Sequence, residues 1–388
     1  SAIQWRAIEH YYRPDKKKWR LRMARLNEIE QKIGGSAVCR QGMRYRNIDI
    51  APLLVGRFSY LFAHYLPGAM AYLDALENGI ACEEVELILI VYEEGPAGRA
   101  ATLVGQRQGV PTLALQHGTL SSPFAPAYYL SAVAHKAQDN PAICPVPTVT
   151  AVYGEHTRAM LVEVSTYPPE SVVTVGMPAY DGVFRTLQAT SHDDARDALE
   201  LADHRPMALI ISQPFFSREN RDYFASVVID AAVRTPDIQW VIKLHPSEEA
   251  GAWARYLRKK AVNIRVFGGD LHPLLIACDL VVSWYSTVIL EAALFARPVI
   301  SVEIPGCLAP EDYLRDGLVV SAKDAVGIET QVNSLLYDHT LRQQHLRQAK
   351  QALGHYIYKP DGSASARVVD LVETLVQKGR GESPEANL

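Results

Sequence analysis

Along most of this chain the spacing of apolar positions switches repeatedly between short unbroken runs and a helical period. From Cys278 to Pro305 an apolar run at Leu280 to Val282 gives way to a polar turn, Ser283-Trp284-Tyr285-Ser286-Thr287. A helical pattern follows at Val288, Leu290, Ala292 and Leu294, stops near Pro298, and leads into a second apolar run, Val299 to Val302. Strand, turn, helix, strand is the βαβ unit of a parallel sheet, since parallel strands need a long crossover between them. The same alternation precedes it: strand Ala208 to Ile211, helix near Asn220 to Val233, strand Trp240 to Leu244, helix Ala250 to Lys260, strand Ile264 to Phe267 and short helix Leu271 to Cys278.

An earlier block reads similarly. Val85 to Tyr92 is a buried parallel strand by composition and runs into Glu93-Glu94-Gly95. A helix from Ala97 to Gln108, closed by Gly109 and Pro111, leads to the strand Thr112 to Leu115 and then to Gln116-His117-Gly118-Thr119. Short strands are expected at Val149 to Tyr153 and Val172 to Val175, and the pattern loosens into a connector from Ala179. Helices at about 323–336, 340–356 and 363–377 close the chain, and Gly381 to Leu388 reads as a disordered tail.

These blocks predict an α/β protein of two domains with a ligand cleft between them. The boundaries fall at 1–183, of which 1–80 is mainly helical, and 184–360, with 361–388 as a closing helix and tail. Residues 52–79 look helical with an interruption at Pro67-Gly68. All four strands of the first block come after residue 84, whereas a self-sufficient nucleotide fold opens with its own βαβ. Either leading strands lie upstream of Ser1 or the N-terminal sheet is incomplete.

Residues 13–25 carry seven basic side chains against one acid, Asp15, and Trp19, Met23, Leu26, Ile29 and Ile33 follow at helical spacing until Gly34-Gly35. A basic amphipathic helix either rests on an anionic membrane surface or is packed on one side and solvated on the other. The first alternative makes this a peripheral protein at the inner face of a membrane. No apolar run approaches the length of a membrane-spanning helix. Five scattered cysteines without CxxC spacing read as thiols in a reducing, cytoplasmic compartment. A net charge of −4 over 388 residues gives no general attraction to nucleic acid. The opening Ser1-Ala2, without methionine or signal peptide, reads as a trimmed start.

The candidate chemistry collects at strand ends, where α/β sheets bind ligands. Lys243-Leu244-His245-Pro246 ends one strand: an imidazolium can donate a hydrogen bond or a proton to a departing phosphate oxygen, Lys243 adds positive charge, and Pro246 fixes the turn. His245 is otherwise a satisfied polar residue at a strand end. Glu93 and Glu94 offer a general base, Gly95 gives room for an acceptor, and His117 beside Gly118 is a rival base. Ser286 and Thr287 either hold a phosphate or cap the following helix. Ser212-Gln213 can contact a base or ribose. Glu291 can accept from ribose hydroxyls or sit in a buried salt bridge, and His272-Pro273 reads as packing. No metal-ligand spacing, Walker loop, GxGxxG or GxSxG is present.

Glu93-Glu94-Gly95, His245-Pro246 and Ser286-Thr287, in that order, resemble the acidic-acidic-Gly, His-Pro and Ser-Ser/Thr motifs of bacterial sialyltransferases and polysialyltransferases. That resemblance implies the GT-B fold, with two Rossmann-like domains facing a cleft, the first on the acceptor side and the second binding a nucleotide donor. It further implies a metal-independent, inverting transfer from a cytidine-activated sugar (CMP-sialic acid or CMP-Kdo type) to a surface glycan or lipid-linked acceptor, with no cofactor beyond the nucleotide-sugar substrate. Glu93, the first acid of the motif, is then the favoured base with Glu94 its alternative, His245 stabilises or protonates the departing phosphate, and Ser286 and Thr287 hold that phosphate, with His117 shaping the acceptor pocket beside Gln116, Gly118 and Thr119. Gln116-His117-Gly118-Thr119, Lys243 to Pro246 and Asp361-Gly362-Ser363-Ala364 also resemble CDP-glycerol glycerophosphotransferases and related capsule or Kdo transferases, in which the histidine is the base. This chain has Gln116 where that family has Trp. UDP-N-acetylglucosamine 2-epimerases share the fold and parts of the second block. A catalytically silent GT-B binding module is the reading from a different class.

Overall fold

The computed structural model describes residues 3–46, 48–120, 145–184, 190–201, 205–215, 217–249, 251, 253–258, 264–307 and 311–381. The expected tail lies almost wholly outside them. The chain forms two compact units, one drawn from Ser1–Leu115, Ala132–Thr150 and Val372–Leu388, the other from Gln116–Ser131 and Ala151–Leu371. This partition differs from a sequential one at residues 183 and 360, because packing in space rather than chain order decides which segments belong together.

The smaller sheet contains β3 (Ile88–Ile90), β4 (Thr112–Leu115), β5 (Val149–Val152) and β6 (Val172–Thr174), in that spatial order. Among the described residues no earlier strand joins it. The two strands before Ile88, β1 (Arg44–Tyr45) and β2 (Ile48–Asp49), pair only with each other, antiparallel. Among the described residues the N-terminal sheet thus has the four strands that the sequence implies. The eight-residue buried strand expected from Val85 shrinks to three residues. It lies at the sheet edge, parallel to β4, and Leu89 is 51% exposed because it points to the face opposite the one on which Ile88 and Ile90 pack. The helix Pro96–Gln108 crosses from β3 to β4 and ends at Gly109, whose φ of 70° is the left-handed cap that glycine allows.

The N-terminal layer is helical, and Pro67-Gly68 does not interrupt it. Helix runs from Ala51 to Tyr60, widens into a π turn at Leu61–Tyr65 and continues through Leu66–Glu83. Proline removes one helical donor and crowds the preceding turn; the wider turn just before Pro67 accommodates both effects. The basic helix spans Lys16–Gly35, with Asp15 accepting from the Lys17 and Lys18 backbone N–H groups.

The larger sheet has the order β12-β11-β10-β7-β8-β9 and all its pairings are parallel. Its strands are β7 (Met207–Ile211), β8 (Gln239–Lys243), β9 (Ile264–Phe267), β10 (Leu280–Ser283), β11 (Val299–Val302) and β12 (Val320–Ala322). Only β12 was not expected, its three residues being too short to give a pattern. Period-two alternation builds two cores. Leu209, Ile211, Val241, Val281 and Val299 face one layer, Ala208, Ile210, Trp240, Ile242 and Val282 the other. Of the helix expected at 250–260, Ala254–Leu257 is seen, and residues 250, 252, 259 and 260 lie outside the described set.

Candidate functional site

Strand order fixes the topological switch point of the larger sheet. From β7 the chain moves outward through β8 and β9, then returns to place β10 on the other side of β7 and continues outward through β11 and β12. The carboxyl ends of β7 and β10 therefore flank the topological switch point, where turns leaving in opposite directions open a crevice. Ser212-Gln213 leaves β7 there, and Trp284-Tyr285-Ser286-Thr287 leaves β10. The Gln213 side-chain carbonyl accepts the Tyr285 backbone N–H at 3.2 Å, tying the two turns together. Ser212 is buried, and its hydroxyl accepts from the indole N–H of Trp253 at 3.0 Å, so it supports the crevice from below.

Beyond β10, the Ser286 hydroxyl accepts from the Val288 backbone N–H at 3.2 Å, whereas the Thr287 side chain makes no capping bond. Ser286 thus performs the capping role and Thr287 does not. One turn into the helix Val288–Leu294, Glu291 is nearly buried, with its Oε2 3.1 Å from His272 Nε2. The His272 reading as packing is corrected: its imidazole donates to Glu291, and that bond raises its pKa against a smaller opposing effect of burial. Burial foremost, and the Glu291 carboxylate next, also hold the Tyr180 phenol well above its ordinary range.

At the end of β8, Lys243 is buried and its Nζ donates to the Leu244 carbonyl at 2.6 Å. His245 and Pro246 begin a tight turn in which the Glu248 N–H donates to the His245 carbonyl and the Glu248 carboxylate accepts the His245 N–H at 3.0 Å. The Ser247 backbone N–H donates to His245 Nδ1 at 3.1 Å. Because an amide N–H only donates, Nδ1 is an acceptor and the neutral imidazole carries its proton on Nε2. Glu248 was missed; its place three residues after His245, mirroring a capping box, was the available signal.

The Gln116 side chain accepts from Tyr153 N at 2.7 Å and donates to the Gly118 carbonyl at 2.8 Å, so it shapes the loop from within. His117 is exposed. Thr119 hydrogen-bonds the phenol of Tyr313, whose ring stacks 6.3 Å from that of Tyr285. This loop therefore reaches the switch-point turn through Tyr285, which stands in that turn, and Tyr313, which sequence reading passed over because no local pattern marks it. Asp361-Gly362-Ser363-Ala364 is structural: the Asp181 carboxylate accepts from the N–H groups of Ala364 and Ser365 at 3.0 and 2.7 Å, occupying that helix end.

In the smaller unit Glu93-Glu94-Gly95 forms the turn between β3 and the helix Pro96–Gln108. Glu93 is only 4% exposed, and its Oε2 accepts from the Thr150 hydroxyl at 3.0 Å. Glu94 is half-buried. A side chain at Gly95 would meet the Tyr92 ring at 2.4 Å, so the room at this glycine is taken up by the protein's own tyrosine rather than left for an acceptor. No cluster of three or more His, Cys, Asp or Glu among the described residues is arranged to hold a metal ion.

Comparison with solved structures settles the fold. A putative UDP-N-acetylglucosamine 2-epimerase from Listeria monocytogenes superposes with a TM-score of 0.57 at 16% identity, over 80% of each chain. UDP-GlcNAc 2-epimerase from Neisseria meningitidis bound to UDP-GlcNAc gives 0.55 at 14%, over 83% of this chain and 89% of that one. A glycosyltransferase from Rickettsia africae gives 0.51 at 13%, over 80% and 81%. The fold is GT-B-like. No protein-family model and no curated protein sequence matches the chain. The chain is thus a GT-B-like α/β protein with two Rossmann-like domains.

Proposed function

We propose that this GT-B-like protein is a nucleotide-sugar enzyme that transfers a sugar from a cytidine-activated donor to a glycan acceptor without a metal ion. The observation that carries this reading is that all three motifs of the sialyltransferase resemblance fall on turns leaving carboxyl ends of strands: Glu93-Glu94-Gly95 after β3, His245-Pro246 after β8 and Ser286-Thr287 after β10. The nucleotide binds at the switch point. Gln213 and Tyr285 form its floor, Glu291 receives ribose hydroxyls, and Ser286 and Thr287 receive phosphate oxygens. His245 donates a hydrogen bond from its Nε2–H to the departing phosphate and offsets the leaving charge, since its Nδ1 is already engaged by the Ser247 N–H. Glu94, rather than the buried Glu93, accepts the acceptor's proton. Lys243, held by the Leu244 carbonyl, adds positive charge beneath His245.

A second reading draws on the structural likeness to UDP-GlcNAc 2-epimerases: a UDP-sugar at the same crevice, with epimerisation in place of transfer. Thermal-shift titration with CMP, CDP and UDP, followed by turnover assays on CMP-sialic acid, CMP-Kdo, CDP-glycerol and UDP-GlcNAc, separates the readings. Preferential stabilisation by CMP with release of CMP from a CMP-sugar supports transfer. UDP-GlcNAc epimerisation overturns the cytidine donor. Turnover of CDP-glycerol moves the base to His117, and nucleotide binding without any turnover marks a binding module.

A further inference from the structure

The N-terminal sixty residues carry thirteen Lys and Arg against five Asp and Glu, a net +8 within a chain of net −4. This positive charge coincides with an unusual helix. Ala51–Tyr60 (APLLVGRFSY) is strongly apolar, yet none of its residues is buried. Leu53 is 78% exposed, Val55 59% and Tyr60 63%. Leu53, Arg57 and Tyr60 stand at i, i+4 and i+7, on one face of the helix. The hairpin just before it exposes Tyr45 and Ile48 as well, and the Arg46 guanidinium lies over the Tyr45 ring at 5.3 Å. Between Arg44 and Tyr60 the only acid is Asp49, and its carboxylate accepts the Ala51 backbone N–H at 2.9 Å.

The basic helix Lys16–Gly35 behaves in the opposite way. Its apolar stripe, Trp19, Met23, Leu26, Ile29 and Ile33, is half-buried and turned toward the protein. Lys18 and Arg22 pair with Asp74, and Arg25 and Lys32 with Glu28. That helix supplies positive field but no apolar face to insert.

We propose that residues 44–46 and 48–60 are a membrane-docking element whose exposed Leu53 and Tyr60, on one helix face, enter the interface of an anionic phospholipid bilayer while Arg44, Arg46 and Arg57 meet its headgroups. Apolar side chains flanked by arginines match such a surface in both respects: the rings and aliphatic groups leave water, and the long arginine stems keep their charges at headgroup level. Anionic lipid is the occupant that the charge selects, because a neutral apolar partner gains nothing from the surrounding +8. Docking here would bring the protein to lipid-linked acceptors. It adds to the transferase reading without resting on it.

The test uses the full chain and no nucleotide. Co-sedimentation is measured with vesicles of phosphatidylcholine alone and with about one-third phosphatidylglycerol, an anionic content that gives a substantial surface potential. The expected result is binding to the anionic vesicles only, weakened by added salt, and at least about tenfold weaker for Leu53→Asp/Tyr60→Asp, which removes the apolar insertion. Arg44→Glu/Arg46→Glu should weaken it comparably. Both pairs are surface changes, and circular dichroism confirms that the variants fold. Equal binding to neutral and anionic vesicles, no binding at all, or full binding by the folded Leu53→Asp/Tyr60→Asp variant would overturn the proposal. None of these outcomes bears on donor turnover.

Discussion

His272 Nε2 lies 3.1 Å from Glu291 Oε2, so an imidazole from one short helix holds the acid on the helix that follows β10. The bond raises the His272 pKa above its ordinary value. A group with a raised folded-state pKa stabilises the fold fully below its unfolded value, about 6.5, and that contribution disappears as the pH climbs through the raised value. Wild type should therefore exceed His272→Ala in Tm most at about pH 6, and the gap should narrow through the range just above 6.5. The imidazole is partly solvent-exposed, so the effect is a modest one, checked by thermal unfolding of both proteins across pH. A gap that widens with rising pH would contradict the pairing.

The two adjacent acids should separate in function. Glu93 is buried against the Thr150 hydroxyl, and Glu94 is the more accessible. Glu94→Gln should lower kcat by roughly 10²–10⁴, the usual contribution of a general base, with nucleotide affinity retained. Glu93→Gln can still accept the Thr150 hydrogen bond and should keep most of its activity while losing some stability. The reverse pattern in steady-state kinetics would return the role to Glu93.

His245→Ala should cost a similar roughly 10²–10⁴ in turnover with little change in Tm, because the imidazole sits in an exposed turn rather than in the core. Loss of less than about threefold corresponds to under 1 kcal/mol of barrier and would remove His245 from the chemistry. Glu248→Gln should have a smaller effect, acting through the turn that presents His245.

Gly98→Ala tests how tightly the helix Pro96–Gln108 is held against the acid turn. Inside a helix, alanine is normally favoured over glycine by about 1 kcal/mol. Here the new methyl would meet the Tyr92 carbonyl at 2.2 Å and Glu93 Cα at 2.6 Å, both backbone atoms that cannot rotate away. Overpacking of about 1–3 kcal/mol or more should win, giving a lower midpoint in denaturant unfolding. An unchanged or raised midpoint would mean that the turn moves freely relative to the helix.

Read alone, the sequence determined the α/β class, five of the six strands of the larger sheet and the reduced smaller sheet. Local periodicity carries those features, since a strand buried on both faces must be apolar throughout and its crossover helix must alternate at 3.6. It also placed Glu93-Glu94-Gly95, His245-Pro246 and Ser286-Thr287 on strand-end turns. Only the tertiary structure decided which of these residues are available. Burial of Glu93 under Thr150, the Trp253 bond to Ser212, the Asp181 cap on Ala364 and the His272–Glu291 pair join residues 19 to 183 positions apart, and no local pattern encodes such partners. The switch point is also tertiary, because it depends on β10 pairing with β7 rather than with β9. Strand order is chosen by the fit of whole layers of side chains, a property of the folded sheet and not of any one stretch of chain.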